Sequence, residues 1–150
     1  MGEYMRFIDT DASPLSLAMI RGALAERNPE FRLEDTSIGD IPSADIFLGD
    51  EMLGDLEISR PGDGLFENEV DELLDALAEV EVGDRRRVRR TLQSAKSVVT
   101  VRAMSPDRET QEALDALQPL WEWLLANRAG LLQADGEGYS DASGLILSID

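Results

Sequence analysis

Apolar side chains alternate with polar ones in some segments of the chain and recur every three or four residues in others. Alternation is typical of half-buried strands, and the longer spacing is typical of amphipathic helices. The alternating and β-branched segments predict strands over residues 3–10, 31–37, 44–49, 53–60, 97–104, 131–135 and 145–149. The helical spacing predicts helices over residues 13–28, 65–82, 85–95 and 105–130.

Two serine-proline pairs and one internal proline set the expected helix boundaries. Ser13-Pro14 and Ser105-Pro106 each place a capping residue before a proline, whose fixed φ suits the first helical position. Pro119 falls inside the last helical segment. Because proline lacks the N–H that a helix interior needs, this helix is expected to bend or to form in two parts.

The elements follow one another in the order β-α-β-β-β-α-α-β-α-β-β. Hairpins mixed with amphipathic helices favour the α+β class over a parallel α/β sheet. We therefore expect a two-layer sandwich in which a mostly antiparallel sheet carries its helices on one face, with a ferredoxin-like βαββαβ core as one form of it. The length of 150 residues suits a single domain over residues 1–150.

The composition removes several classes of chemistry. The chain contains no Cys and no His, which excludes thiol nucleophiles, disulfides, thiolate zinc sites and imidazole bases. Lys96 is the single lysine and belongs to no recognisable catalytic motif. A non-enzymatic protein without a cofactor is therefore favoured over an enzyme.

The charge is strongly acidic, with 31 Asp and Glu against 14 Lys and Arg and a formal net charge of -17. Such a surface repels nucleic acid and anionic lipid and attracts basic proteins, so we expect a basic protein partner, no nucleic acid and no membrane. The first residues do not form a signal peptide, so a cytoplasmic location is expected. Adaptation to high salt would produce the same acidity without a partner.

Two carboxylates, Asp9 and Asp11, follow the first predicted strand. Paired carboxylates at the end of a strand can hold Mg²⁺ or Mn²⁺ and supply a nucleophile and an acid, as a phosphoryl hydrolase requires. In so acidic a chain this spacing also arises by chance, and carboxylates that cap a turn account for it. We favour the capping role and keep the hydrolase as an alternative.

The segment 136–144 is rich in Gly, Asp and Ser and is expected to form the loop between the last two strands. Its candidate metal ligands are Asp135, Glu137 and Asp141. Hard oxygen ligands of this kind suit Ca²⁺, but the glycine and the bidentate glutamate of a calcium loop are missing, so a turn is favoured. Tyr139 is central in this loop, and we expect it to be exposed and available for binding.

Two oppositely charged helices are predicted next to one another in the chain. The first has an acidic face, and its candidate binding residues are Glu69, Glu72 and Glu79. The second begins with five arginines within residues 85–90, and its candidate binding residues are Arg86 and Arg90. Cations are disfavoured in the first turn of a helix, so these arginines need compensation. Either the acidic face of the preceding helix or an external anion or partner provides it.

Two tryptophans lie in the last predicted helix. Trp121 continues the apolar stripe of that helix, whereas Trp123 points away from it. Trp123 is therefore a candidate interface residue, because tryptophan is enriched where proteins dock. The alternative is that another element of the same chain covers the side chain of Trp123.

These features predict a non-enzymatic acidic interaction protein that neutralises or regulates a basic protein partner, in the manner of an immunity protein. Complementary charge suits that role, because it speeds association and excludes wrong partners. A Mg²⁺- or Mn²⁺-dependent phosphoryl hydrolase that uses Asp9 and Asp11 is one alternative. A homo-oligomer assembled through the helix that carries Trp123 is the other.

Overall fold

The computed structural model of the chain describes residues 4–78, 85–105, 109–135 and 137–148 and is built on one sheet of eight strands. The strands are β1 (Tyr4–Asp9), β2 (Phe31–Asp35), β3 (Ser43–Leu48), β4 (Glu51–Ser59), β5 (Ser97–Ala103), β6 (Gly130–Ala134), β7 (Gly138–Asp141) and β8 (Gly144–Ser148). Their order is β2-β3-β4-β5-β1-β6-β7-β8, and all neighbours are antiparallel. The predicted α+β class and mostly antiparallel sheet are confirmed.

The described helices pack on both faces of this sheet. They are α1 (Leu17–Arg27), α2 (Phe66–Ala78), α3 (Arg85–Gln93), α4 (Thr110–Ala116) and α5 (Gln118–Asn127). Neighbouring residues of a strand point to opposite faces. Phe7 lies in the core formed with α1, α4 and α5, whereas Ile8 lies in the core formed with α2 and α3. The sheet is therefore the middle of three layers, which corrects the expectation that all helices share one face.

The central strand β5 explains why both faces are covered. Its consecutive residues Val98 and Val99 are fully buried, one in each of the two cores. A strand that is apolar on both sides needs cover on both sides. The β-branched run at the start of β5 already carried this signal in the sequence.

The strand order also departs from the ferredoxin-like core. In that fold a single strand separates the first two strands of the chain, whereas β3, β4 and β5 separate β1 from β2 here. A split β-α-β unit is nevertheless present, because β5 and β6 are joined through α4 and α5 and lie on either side of β1. The end of β1 is thereby held between two neighbours in the middle of the sheet.

The predicted helix boundaries have different outcomes. Ser16 rather than Ser13 caps α1, since the Ser16 hydroxyl accepts a hydrogen bond from the N–H of Met19 at 3.3 Å. The division at Pro119 is confirmed, because α4 ends before this proline and α5 begins with it in the first turn. The break expected at residues 83–84 lies outside the described residues.

One half of the sheet is open on the side of α2 and α3. The core beneath these two helices contains residues of β1, β5, β6, β7 and β8, but none of β2, β3 or β4 among the residues described. On their other side, β2, β3 and β4 contribute to the core beneath α1, α4 and α5. We call the uncovered side of β2, β3 and β4 the open half-sheet. Polar side chains face solvent there, as antiparallel sheets allow.

Candidate functional site

A polar groove of about 370 Å³ lies on the open half-sheet where it meets β5 and β1. Its lining residues are Tyr4, Thr36, Ser43, Asp45, Asp55, Leu56, Glu57, Thr100 and Arg102. The set combines three carboxylates with several hydroxyl groups, one guanidinium and one aromatic ring. This chemistry favours a polar, positively charged ligand over an apolar one.

The carboxylates of the groove meet because of strand alternation and register. Asp45 of β3 lies between buried residues whose side chains pack in the core beneath α1, α4 and α5, on the other face of the sheet. Asp55 and Glu57 of β4 also alternate with buried residues, so all three carboxylates share the open face. The register places Asp45 directly opposite Asp55. Two carboxylates directly opposite one another on neighbouring strands repel and destabilise the sheet. The stability of the sheet therefore does not explain why both positions are acidic.

The charges of the groove are incompletely balanced. Arg102 Nη2 donates to Asp55 Oδ2 at 2.8 Å. The side chains of Asp45 and Glu57 have no ion pair or hydrogen bond to any other residue in the described ranges. Arg102 Nε is buried and also has no hydrogen-bond partner there. The groove thus presents two unneutralised carboxylates beside the ion pair of Arg102 with Asp55.

The carboxylate of Glu57 lies in an environment that disfavours its charge. Burial raises the pKa of Glu57, and the nearby carboxylates of Glu69, Asp55 and Asp63 raise it further. A positive charge placed in the groove would offset each of these effects, because it compensates for lost hydration and screens the neighbouring anions.

A hydrogen-bonded network borders the groove beneath α2. Arg6 Nε donates to Glu69 Oε1 at 2.7 Å, and Thr100 Oγ1 donates to the same oxygen at 2.9 Å. Arg6 Nη1 donates to Gln133 at 2.8 Å and to Asp135 at 2.9 Å. Glu69, a predicted binding residue, and Asp135, a predicted metal ligand, are therefore both engaged with Arg6.

Glu57→Gln is expected to stabilise the fold at neutral pH by about 0.5 kcal/mol, a small gain because solvent screens a half-exposed carboxylate. The pKa of Glu57 is above its ordinary 4.5 in the folded chain, so folding binds the proton more tightly and stability falls as the pH rises past 4.5. The gain should vanish below about pH 4, where both states are protonated. Urea unfolding at neutral and acid pH measures it, and a loss of stability at neutral pH would contradict it.

Asp9 is buried in a salt bridge. Arg128 Nη2 donates to Asp9 Oδ2 at 2.7 Å and Arg128 Nε donates to Asp9 Oδ1 at 3.2 Å. The two side chains are 3% and 1% exposed. Ser97 Oγ donates a further hydrogen bond to Asp9 Oδ2 at 2.9 Å. Both carboxylate oxygens are thereby occupied by groups of the protein itself.

Asp11 lies in the turn after β1, beside this salt bridge. The N–H and the hydroxyl of Ser13 donate to Asp11 Oδ1 at 3.2 and 3.1 Å, and the N–H of Ala129 donates to Asp11 Oδ2 at 3.4 Å. The hydrogen bonds from Ser13 lower the pKa of Asp11. Asp11 thus has the contacts of a turn-capping carboxylate.

The predicted metal ligands of the last loop are held apart by other contacts. Asp141 accepts hydrogen bonds from the hydroxyl and the N–H of Ser143 at 2.6 and 2.8 Å and pairs with Arg87 at 2.9 Å, and these contacts lower the pKa of Asp141 to about 2. Glu137 is exposed, and Asp135 contacts Arg6. Among the described residues, no three Asp or Glu side chains are placed to hold a metal ion together.

Tyr139 is buried, and the expectation that it is exposed in a loop is wrong. It is 1% exposed and lies in the core beneath α2 and α3. Part of the expected loop forms the strand β7, and alternation along that strand turns the ring inward. Burial raises the pKa of Tyr139 to about 12.

The other predicted binding residues of the charged helices differ in position. Glu72 is exposed on α2, while Glu79 lies outside the described residues. Arg86 and Arg90 are exposed on α3 and have no ion pair to any residue that the structure describes. A third arginine of the cluster, Arg87, forms its ion pair with Asp141 on β7 and not with a residue of α2.

Trp123 is half-buried and packs against the core beneath α1, α4 and α5. Trp121, two positions earlier, is fully buried, and its Nε1 has no hydrogen-bond partner among the residues that the structure describes. Elements of the same chain therefore cover much of Trp123.

Sequence reasoning missed the carboxylates of the groove, Asp45, Asp55 and Glu57. A signal was present, because the two segments were predicted as paired strands, with Asp45 between apolar residues in the first and Asp55 and Glu57 at alternate positions in the second. A shift in register between Ile46 and Phe47 decides which acidic residues lie opposite one another. Such an irregularity cannot be read from alternation alone.

Comparison with known proteins finds no matching family model, no matching curated protein and no matching solved structure. In the described parts of the chain, no helix is long and apolar enough to cross a membrane. The geometry and the charge of the groove are therefore what bears on its function.

Proposed function

We propose that this chain is a non-enzymatic binding protein whose groove on the open half-sheet receives a cationic segment of a basic protein, and that this contact neutralises or regulates the partner. One observation carries the proposal. Asp45 and Glu57 line the groove, and neither has an ion pair with a described residue. An arginine or lysine of a partner supplies the charge that these two carboxylates lack.

The lining of the groove favours arginine over lysine as the inserted side chain. A guanidinium can donate two parallel hydrogen bonds to one carboxylate such as Glu57. The hydroxyls of Ser43 and Thr36 line the same groove and can accept its remaining N–H groups. Tyr4 is 36% exposed at the groove, and the guanidinium of Arg6 already lies over its ring, 5.6 Å from the ring centroid. A second planar cation would therefore stack on the opposite side of this ring.

The charge of the whole chain supports the same proposal. A net charge of -17 attracts a basic protein over a long range and raises the rate of association, most strongly at low salt. The engagement of Asp9 by Arg128 and the lack of His and Cys in the sequence support binding over catalysis.

A capped tetra-arginine peptide tests the groove by isothermal titration calorimetry at moderate salt. Glu57→Gln is expected to weaken binding about tenfold, which corresponds to about 1.4 kcal/mol. Glu26→Gln is the matched control, because it removes the same charge from an exposed position on α1, on the opposite side of the sheet. The control should bind within about twofold of the wild type, as expected for a distant, screened charge.

Two results would overturn this proposal. Equal weakening by Glu57→Gln and Glu26→Gln would show that the peptide responds to net charge and not to the groove. A wild-type chain that does not bind the peptide at low salt would remove the proposal altogether. Because Glu57→Gln is expected to stabilise the fold, weaker binding by this variant cannot be attributed to unfolding.

A further inference from the structure

The exposed side of the layer formed by α2 and α3 carries opposite charges on two adjacent helices. The two helices contact each other on the same face of the sheet. The outer side of α2 is acidic through the exposed residues Asp71, Glu72 and Asp75. The outer side of α3 is basic through the exposed residues Arg86, Arg89 and Arg90. Acidic and basic stripes thus lie side by side on one surface.

The basic stripe is not neutralised within the described parts of the chain. Arg86 and Arg90 are four residues apart and share one side of α3, opposite the buried residues Val88 and Leu92. Neither they nor Arg89 form an ion pair with a described residue. The acidic stripe is close in the same molecule, but both stripes point outward, so they cannot face each other.

We propose that this surface binds a second copy of the same chain, with the acidic stripe of each copy against the basic stripe of the other. A two-fold axis that runs between α2 and α3 in the plane of the interface places α2 of one copy on α3 of its partner and forms both contacts at once. Such an interface is isologous, so every complementary contact occurs twice. The surface is therefore self-complementary in charge.

The other class of anion that could neutralise the basic stripe is a phosphate backbone. The net charge of -17 opposes that partner, because the protein as a whole repels a polyanion. A second copy carries the same unfavourable net charge but brings its carboxylates into direct contact with the arginines. At moderate salt the long-range repulsion is screened, whereas ion pairs in contact are screened much less.

This balance predicts an unusual salt dependence for self-association. At about 0.01 M salt the screening length is about 30 Å, and repulsion between whole copies should keep the chain monomeric. At about 0.1 M it falls to about 10 Å, and the dimer should be most stable. At about 1 M the length is about 3 Å, so the contacts themselves weaken and the monomer should return. Sedimentation equilibrium across this range gives the mass at each salt concentration.

Charge reversal identifies the surface. The double variants Arg86→Glu/Arg90→Glu and Glu72→Arg/Asp75→Arg should each lose at least about tenfold in dimer affinity. An equal mixture of the two should form a heterodimer, because one copy is then acidic on both stripes and the other is basic on both. Arg21→Glu/Arg27→Glu is the control for Arg86→Glu/Arg90→Glu, since it makes the same charge change on α1, on the opposite face of the sheet, and should dimerise like the wild type.

The outcomes that would overturn the dimer are distinct from those for the groove. A wild-type chain that stays monomeric at every salt concentration contradicts it, as does a mixture of reversed variants that does not associate. Binding of a short labelled oligonucleotide that is lost in Arg86→Glu/Arg90→Glu, with a monomeric wild type, would assign the basic stripe to nucleic acid. The groove proposal is unaffected by each of these results, because its test changes Glu57.

Discussion

Arg128→Leu is expected to lower the free energy of unfolding by about 3–5 kcal/mol, because it leaves the carboxylate of Asp9 buried without its counter-charge. Asp9→Asn should cost a similar amount, since the guanidinium then stays buried without an anion. Both side chains are at most 3% exposed, so solvent cannot take the place of the lost partner. Urea unfolding, read as the change in midpoint at an unchanged slope, measures each loss.

An exposed ion pair provides the matched control for this prediction. Arg27 and Glu122 are joined at 2.7 Å, but both side chains are almost half exposed. Arg27→Leu should therefore cost less than about 1 kcal/mol. The double variant Asp9→Asn/Arg128→Leu should cost clearly less than the sum of the single variants, because no unpaired charge remains. A loss below about 1 kcal/mol for Asp9→Asn would contradict a structural role and return Asp9 to consideration as a reactive carboxylate.

The large expected effect reflects how many elements this salt bridge joins. Asp9 ends β1, and Ser97 begins the neighbouring strand β5. Arg128 precedes β6 and also donates to the hydroxyl of Ser13 at 2.9 Å, in the segment that leads to α1. Loss of the pair therefore loosens the middle of the sheet and the approach to α1 together.

Gly130→Ala is expected to destabilise the fold by about 3 kcal/mol or more, through overlap and backbone strain combined. A Cβ at this position would lie 2.0 Å from the backbone oxygen of Ile8, which cannot move without breaking the pairing of β1 with β6. The φ of Gly130 is +155°, which side chains with a Cβ rarely adopt. Thermal and urea unfolding of the variant measure the loss.

Gly22→Ala is the control with the opposite sign. Gly22 lies on the exposed side of α1, and a Cβ there would meet no atom within 4 Å. Alanine inside a helix is more stable than glycine by about 0.5–1 kcal/mol, so this variant should be stabilised. If both variants lost the same stability, the close approach at Gly130 would not be the cause.

Much of the secondary structure could be predicted because it depends on neighbouring residues. The strand β5 and the division of the last helix at Pro119 follow from β-branched residues and from a missing N–H, which act within a few positions. The strand β7 was missed because glycine and aspartate suit a turn as well as a short strand. Tyr139 faces the core only because β7 pairs with both β6 and β8.

The candidate site could be predicted only in its chemistry. An acidic surface without His or Cys was evident from composition, and the expectation of a binding role rested on it. The residues of the groove were not evident, because Asp45 and Glu57 line a groove only when other strands bring their own side chains beside them. Arg102, Thr100 and Tyr4 reach the groove from β5 and β1, far along the chain from the hairpin.

The sequence by itself determined the class of the fold, the acidity of the chain and its lack of thiol and imidazole groups. These properties depend on the periodicity of apolar residues and on residue types, both of which can be read position by position. The tertiary structure decided the rest. Asp9 and Arg128 are 119 positions apart, and nothing local to either residue shows that they meet. The helices divide between two faces, and one half of the sheet is left open, because these features depend on which distant segments pair. Such pairing minimises the free energy of the whole chain, and this free energy cannot be read from any single segment.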